Sequence, residues 1–303
     1  MTRILLLGSN GQVGWNLKRS LLPLGEVIAL ARDKADFSRP ESLRSIVKES
    51  KADIIVNAAA YTTVDQAEIE EAVANAVNAV APAVLAEEAK RLNALLIHYS
   101  TDYVFDGKKT SPYVEEDIPN PINIYGQTKL SGELNIQTTG CRHLIFRTSW
   151  VYAPRGKNFV KTVLQLANER DELQIVSDQI GAPTSARYIA DVTSTVISKL
   201  DAAAMFSSIP PSGIYHLTPL GSTSWYEFAQ FVLESRSTLG MKNISLPKLI
   251  PVSTEQYVTR AKRPRNSLLN CSKLEKDWRI ARPHWKTLTL LCLEDLEAML
   301  NRN

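Results

Sequence analysis

From residue 3 to about residue 150 the chain repeats one alternation: a short run that is apolar at nearly every position, then a longer stretch whose apolar positions recur every three or four residues. Runs apolar throughout suit strands buried on both faces, as in a parallel sheet, and the longer stretches suit the amphipathic helices that cover it. The predicted strands are "RILLLG", "EVIALA", "DIIVNAAA", "LLIHYST" and "HLIFRTSWVY". Between them, "QVGWNLKRSLL", "PESLRSIVKES" and the Ala-rich stretch from Val64 to Leu92 are predicted helices. Pro40 opens the second of these, where a first helical turn tolerates proline because that N–H would have no intrahelical partner. The pattern predicts an α/β fold with a doubly wound parallel sheet of the Rossmann type.

After Trp150 the alternation loses its regularity. Helices are predicted at "NFVKTVLQLANER", "IADVTSTVISKL" and "WYEFAQFVLESR", separated by segments containing Pro and Gly. The stretch "SSIPPSG" at 207–213 predicts a loop, and "LIPVSTEQY" with "RAKRPRNS" a second irregular region. The chain is therefore expected to divide into 1–150, which carries the sheet, and 151–303, a smaller mixed α/β domain. Part of 151–240 is expected to cross back and complete the sheet.

Composition narrows the partners. With 303 residues, 44% of them hydrophobic, the chain can bury a sizeable core. Its 35 Lys plus Arg against 32 Asp plus Glu leave a net charge of +3, too small to argue for a nucleic acid or a membrane surface, so an anionic ligand must be held locally. Cys141, Cys271 and Cys292 are an odd count without metal-ligand spacing and suit reduced core thiols of a cytoplasmic protein. In "MTRILLLGSNG" the apolar run ends at Leu7, too short for a signal-peptide core, and no later run reaches membrane-spanning length. His98, His143, His216 and His284 are scattered without ligand spacing; His98, inside a predicted strand, reads as structural.

The first strand leads straight into "GSNGQVGWNL", with Gly8, Gly11 and Gly14. A tight turn, a backbone free of side chains and a helix N-terminus near Gln12 together suit a pyrophosphate, so this first βα unit predicts a dinucleotide-binding domain over 1–150. In NAD binders an acid ending the second strand takes the ribose hydroxyls, but here "ALARDKADF" puts Ala31 and Arg32 at that point. Arg32 suits the 2′-phosphate of NADPH, or is ordinary surface charge beside Asp33. Asp36 and Phe37 either contact the adenine or start the next helix. An inward Asp33 or Asp36 would favour NADH, so NADPH is expected with NADH as a second possible cofactor.

The fourth strand ends in Ser100, Thr101 and Asp102, at the sheet edge where open α/β proteins bind ligands. Tyr125 and Lys129 follow in "NIYGQTKLSGE", one turn apart on a predicted helix, so phenol and ammonium can reach one cleft. A nearby cation favours the phenolate and brings the phenolic proton closer to transfer at neutral pH, which makes the two a candidate acid–base pair.

In order along the chain, "GSNGQVGW", "IVNAAAYTTVDQAE", "HYSTDYVFDG", "YGQTKLSGE", "RTSWVY", "DQIGAPTSA" and "RPRNSLL" resemble the blocks of the extended short-chain dehydrogenase/reductases, and within them the dTDP-4-dehydrorhamnose reductases. The glycine loop and Tyr-x-x-x-Lys are common to the superfamily, whereas "STDYVFDG" and the Asp-Gln-x-Gly-x-Pro-Thr block are more selective. The resemblance implies reduction of the C4 ketone of dTDP-4-dehydro-6-deoxy-L-mannose to dTDP-L-rhamnose. It implies Tyr125 as proton donor, Lys129 as the holder of the nicotinamide ribose and the group that depresses the Tyr pKa, and Thr101 as a hydrogen-bond partner of the reacting oxygen. Asp102 and Trp150 match sugar-nucleotide contacts; Gly11, Gln12, Val13, Ala60, Tyr61, Thr62 and Tyr99 match cofactor contacts. It makes 151–303 the mainly substrate-binding domain.

Two positions depart from the family pattern: the missing acid after the second strand, and Asn16 where some members carry a glutamate that helps bind Mg²⁺ between subunits. No catalytic metal is expected, and the chain is expected to be a monomer or homodimer. In the basic run "RAKRPR", Arg260 and Lys262 read as a solvated loop and Arg263 as a contact for the substrate diphosphate. The alternatives are another nucleotide-sugar 4-ketoreductase or epimerase, and a non-catalytic NADP-binding regulatory subunit like the related beta subunit of methionine adenosyltransferase. The presence of Thr101, Tyr125 and Lys129 together argues against the last.

Overall fold

The computed structural model describes residues 1–200, 212–238 and 246–300, so most of the predicted loop at 207–213 lies outside the described residues. The first part runs β1 (Arg3–Leu7), α1 (Gln12–Ser20), β2 (Glu26–Leu30), α2 (Leu43–Ser50), β3 (Ile54–Asn57), α3 (Val64–Ala67), α4 (Glu71–Asn75), α5 (Ala81–Leu92), β4 (Leu95–Thr101), α6 (Ile124–Thr139) and β5 (His143–Thr148). The rest runs β6 (Val151–Tyr152), α7 (Phe159–Glu169), β7 (Glu172–Val176), β8 (Ile180–Gly181), β9 (Thr184–Ser185), α8 (Ala186–Lys199), β10 (Gly213–His216), β11 (Thr223–Ser224), α9 (Trp225–Thr238), β12 (Lys248–Val252), α10 (Ser272–Trp278) and α11 (Trp285–Leu300).

Six parallel strands lie in the order β10-β5-β4-β3-β1-β2. Their apolar runs serve two cores by alternation. Ile4, Leu6, Ile54, Val56, Leu95 and Ile97 face one side, with Leu17 of α1 and Ile189 of α8. Leu5, Leu7, Ile55 and Leu96 face the other, with Val47 of α2 and Leu85 of α5. Each fully buried aliphatic contributes about 1.5–3 kcal/mol. The last strand comes from far along the chain: β10 sets Gly213 opposite Leu144 and His216 opposite Arg147. Its neighbour α8 is tied to α1, with Ser194 Oγ donating to Ser20 O at 2.7 Å. A third core gathers Tyr152, Val160, Val163, Phe228, Val232, Trp285 and Leu293 beside three two-stranded sheets.

Three predicted elements differ. The run "HLIFRTSWVY" is two strands, because Trp150 takes a left-handed backbone (φ 48°) and sends β6 into the small sheet with β9. The stretch from Val64 to Leu92 is three helices joined by a π segment, Ala76–Val80, rather than one. Pro82 has no N–H for the Asn78 carbonyl four residues back, and that carbonyl lies against Gly132 of α6, where a Cβ would come within 2.2 Å of it. Finally, "LIPVS" is largely strand: β12 pairs in parallel with β7 in a two-stranded sheet, where Pro251 costs no central ladder.

Candidate active site

The chain changes direction across the sheet between β1 and β3, so the loops leaving those two strands face each other at their carboxyl ends. Gly8 has φ +79°, and a Cβ on it would lie 2.7 Å from Ala59 N. A Cβ on Gly14 would lie 2.1 Å from Gly8 O, so α1 starts hard against the loop. Its first turn has no side-chain cap and no acid, which leaves N–H groups for an anion. Asn78 holds the opposite turn: its Oδ1 accepts from Tyr61 N at 2.9 Å and its Nδ2 donates to Tyr61 O at 3.0 Å. The cavity between the turns, about 330 Å³, is lined by Gly8, Gly11, Arg32, Asp36, Phe37 and Ala60, with Tyr61 hydrogen-bonded to Glu70 beside them.

The predicted cofactor residues are not all brought to this cavity. The Arg32 side chain is 86% exposed, with Nε 4.0 Å from Asp36 Oδ1. That same oxygen accepts from the Ser38 hydroxyl and backbone N–H, at 2.8 and 3.0 Å, which hold the Asp36 carboxyl below its usual range. Phe37 is buried in the core and forms cavity wall; the next helical turn starts at Pro40. Gln12 Oε1 accepts from Asn158 Nδ2 at 2.8 Å, Val13 packs into the first core, and Thr62 is exposed away from the cavity lining. Tyr99 departs most from expectation. Its ring stacks on Phe146 and its hydroxyl meets Thr193 Oγ1 at 2.8 Å, because β4 alternation points it into the core, so its backbone carbonyl is what it offers.

Helix α6 is fixed at its start. Asn123 caps it, Oδ1 accepting from Gly126 N at 2.7 Å, and is anchored by Nδ2 donating to Lys262 O at 2.8 Å. Gly126 presses on the loop after β4, since a Cβ there would lie 2.2 Å from Tyr103 O. Tyr125 is thereby set beside Thr101. Thr101 Oγ1 donates to Asp102 Oδ1 at 2.9 Å. Burial pushes the Tyr125 phenol up to about 12, opposed by the Thr101 hydroxyl and assisted by Asp102. Burial likewise pushes Asp102 up to about 6, against hydrogen bonds from Ser267 and Thr101. Lys129 is 1% exposed; burial pulls it down to about 8, opposed by Glu133.

The expected depression of the Tyr125 pKa by Lys129 is therefore corrected. Lys129 Nζ donates to Tyr99 O at 2.6 Å and lies 3.2 Å from His98 Nε2, drawn toward β4, while the half-buried phenol lies beside a carboxyl. Three polar atoms at this strand edge, Ser100 Oγ, Asp102 Oδ2 and Thr148 Oγ1, are buried without a hydrogen-bond partner, as expected of groups that serve a ligand.

Across the cleft, Trp150 stacks on Trp225 at 3.5 Å and 8°, with Gly181 so close that a Cβ would lie 2.5 Å from the Trp150 ring. An adjoining cavity of about 300 Å³ is lined by Asp65, Phe159, Gln174, Gln179, Trp225 and Arg263. Arg263, read from sequence as a diphosphate contact, donates from Nη2 to Asp65 Oδ2 at 2.6 Å. Asp65, Trp225 and Ser267 were missed by the sequence reading. Ser267 and Asp65 stood inside family-like blocks without a role assigned to them, whereas nothing local marked Trp225. Among the described residues no group of His, Cys, Asp and Glu is placed to hold a metal ion, and Asn16 turns back to donate to Gln12 O at 2.9 Å.

Proteins that set a dinucleotide cradle and a Tyr-x-x-x-Lys helix on one edge of a doubly wound sheet are oxidoreductases of the short-chain dehydrogenase/reductase class, and this chain has that build. The model of the RmlD substrate binding domain matches residues 1–298, and the chain belongs to that family. A dTDP-4-dehydrorhamnose reductase of Burkholderia thailandensis is 49% identical over 298 residues, 97% of this chain and 99% of the relative. That of Escherichia coli K12 is 44% identical over 297 residues, 97% of each chain. The crystal structure of the Bacillus anthracis reductase in complex with NADP matches with a TM-score of 0.86 at 33% identity, covering 97% of this chain and all of that one.

Proposed function

We propose that this chain reduces the C4 ketone of dTDP-4-dehydro-6-deoxy-L-mannose to dTDP-L-rhamnose, with NADPH as the preferred reductant. The observation that carries the reading is the meeting of Tyr125 and Thr101 at the end of β4, one helical turn from Lys129 and on the sheet edge that carries the nucleotide cavity. The same reductase in Bacillus anthracis was crystallised with NADP, and the dTDP-sugar specificity is that of the relatives' names.

The glycine loop and the start of α1 hold the pyrophosphate, the cavity beside Arg32 the adenosine, and Lys129 faces the nicotinamide ribose. Reduced nicotinamide, when bound, supplies the hydride. Tyr125 gives its phenolic proton to the carbonyl oxygen as charge develops there, and the Thr101 hydroxyl steadies that oxygen. A phenol pushed up to about 12 still suits this direction, because an alkoxide is a far stronger base than a phenolate. Asp102, Trp150 and Arg263 contact the sugar nucleotide. Residues 1–150, completed by β10 and α8, form the cofactor domain, and the remainder of 151–303 the substrate domain. The protein works in the cytoplasm, where its three buried thiols stay reduced.

The test is consumption of NADPH with the dTDP-4-keto sugar, generated in a coupled system, against matched UDP- and GDP-sugars. Preferential turnover of the dTDP compound is expected. Faster turnover of another nucleotide sugar would reassign the substrate, and binding without any turnover would make the chain a regulatory NADP-binding protein.

A further inference from the structure

Asn57 and His98 stand opposite each other in β3 and β4, each 1% exposed, polar side chains among apolar ones. Ala59 N donates to Asn57 Oδ1 at 3.1 Å. A backbone N–H can only donate, so the atom it meets is the amide oxygen, and the amide nitrogen is what faces His98 Nδ1 at 3.0 Å. Nδ1 must then accept. Burial keeps this imidazole neutral, so its single proton sits on Nε2. That N–H points at Lys129 Nζ, 3.2 Å away. An ammonium has no lone pair to receive it, but an amine has; the bond from Nζ to Tyr99 O at 2.6 Å can be made by either form.

We infer that Asn57 and His98 are positioning residues that lower the proton affinity of Lys129 in the free protein, in an orientation set by the turn at residues 58–60. The inference rests on the reading above only in giving Lys129 a part in the reaction. If Nζ takes a proton from solvent, the imidazole must shift its own proton to Nδ1 and Asn57 must turn its oxygen toward the ring. Asn57 then releases Ala59, in the turn that lines the nucleotide cavity. The proton affinity of Lys129 is thus tied to the shape of the cofactor turn. The other titratable groups around it are Glu133, one turn further along α6 and paired with Arg147 of β5 at 2.6 Å, and Tyr125, one turn back.

The first test needs no turnover. In the full chain labelled with ¹⁵N-histidine and free of ligand, the His98 signals should show a protonated Nε2 and a bare Nδ1 at pH values above about 8, where Lys129 has lost its proton; the opposite tautomer there overturns the inference. The second uses His98→Gln, which can offer Lys129 an amide oxygen, and Asn57→Asp, which removes the donor facing Nδ1 and frees the ring to accept at Nε2. In both, the Lys129 titration followed at its ¹³Cε should move up by about one pH unit or more. The corresponding limb of the kcat profile should move the same way, while KM for the sugar stays within about twofold. A purely structural role predicts loss at every pH with no displaced limb, and an unmoved titration in both variants overturns the proposal. If the wild-type chain reduced no nucleotide sugar, the functional reading would fail while the tautomer and the titration still decided this one.

Discussion

The two halves of the cleft are built on different terms. The nucleotide half is largely backbone and small side chains from residues 8–14 and 58–61, with residues 32–38 beside them, and the spacing of the two glycine- and alanine-rich stretches is fixed by contacts such as the 2.7 Å that would separate a Gly8 Cβ from Ala59 N. The half we propose for the sugar is side chains gathered from Asp65, Asp102, Trp150, Trp225 and Arg263, held by an ion pair and a ring stack. A backbone cradle reads what every dinucleotide shares and cannot give way. Side chains from distant segments can be exchanged singly, which suits the half that must tell one sugar nucleotide from another.

Tyr125 stands where the halves meet, and its removal should give the largest effect. Tyr125→Phe is expected to lower kcat by roughly 10²–10⁴ while leaving NADPH affinity within about twofold. Stopped-flow turnover with parallel fluorescence titration of NADPH checks both, and near wild-type turnover would remove Tyr125 from the chemistry. The next effect separates the halves. Gly14→Ala puts a methyl group into the Gly8 carbonyl, with backbone on both sides of the clash, and should cost about 1–3 kcal/mol of stability or more. It should also abolish measurable NADPH binding. Trp225→Ala should instead raise KM for the sugar and spare NADPH affinity. If Gly14→Ala bound NADPH normally, the contrast between a rigid and an adjustable half would fail.

What the sequence made legible follows the same division. The glycine loop, the strands around it and the Tyr-x-x-x-Lys helix are local patterns, so periodicity and spacing place them. Trp225 carries no local mark, Asp65 lies in a family-like block that does not say what it faces, and both join the site only when α9 and α3 fold beside Trp150 and Arg263. Direction was also hidden. Spacing put Lys129 on the face of Tyr125, but the pull of the Tyr99 carbonyl and His98 takes its Nζ the other way. The break at Trp150 was concealed because the segments on either side of it both read as strand, and only a left-handed tryptophan backbone splits the run. Pro82 lay in plain view inside the Ala-rich stretch, yet its π segment needs Gly132 of another helix to receive the freed carbonyl.

Asp102 offers a pH-dependent measure of what the sugar half costs the fold. Its carboxyl is raised from 3.8 to about 6, so between those values the folded chain holds a proton that the unfolded chain has lost. Below about pH 4 both states are protonated and there is no penalty. As pH rises toward 6 the penalty grows to about 2–3 kcal/mol and then stays constant. Asp102→Asn keeps an acceptor for Thr101 without the charge, so its Tm advantage over wild type should grow from pH 4 to 6 and level off above, while sugar turnover falls. Thermal unfolding across that range checks the sign; an advantage independent of pH would show that the carboxyl is not held at a cost.

The smallest effect probes whether the nucleotide half is as generic as its backbone suggests. Arg32 is the cation lining the cavity where an aspartate would select NADH, and with its side chain 86% exposed it has little shielding. Asp36, 4.0 Å away, partly neutralises it, but that carboxyl's Oδ1 is already engaged by the Ser38 hydroxyl and N–H and stays turned toward its own loop. A 2′-phosphate can therefore gain one guanidinium without displacing a strong pair, a charge-assisted contact worth roughly 1.5 kcal/mol at such exposure, or about tenfold. Arg32→Ala should lower kcat/KM for NADPH by about tenfold and change that for NADH by less than about twofold. The NADPH loss should shrink as salt is raised, since an exposed pair is screened. Equal losses with both cofactors would mean that Arg32 supports the loop and does not read the phosphate. A wild-type preference for NADH would mean that Asp36 turns from Ser38 to the ribose, making this corner of the rigid half as adjustable as the sugar side.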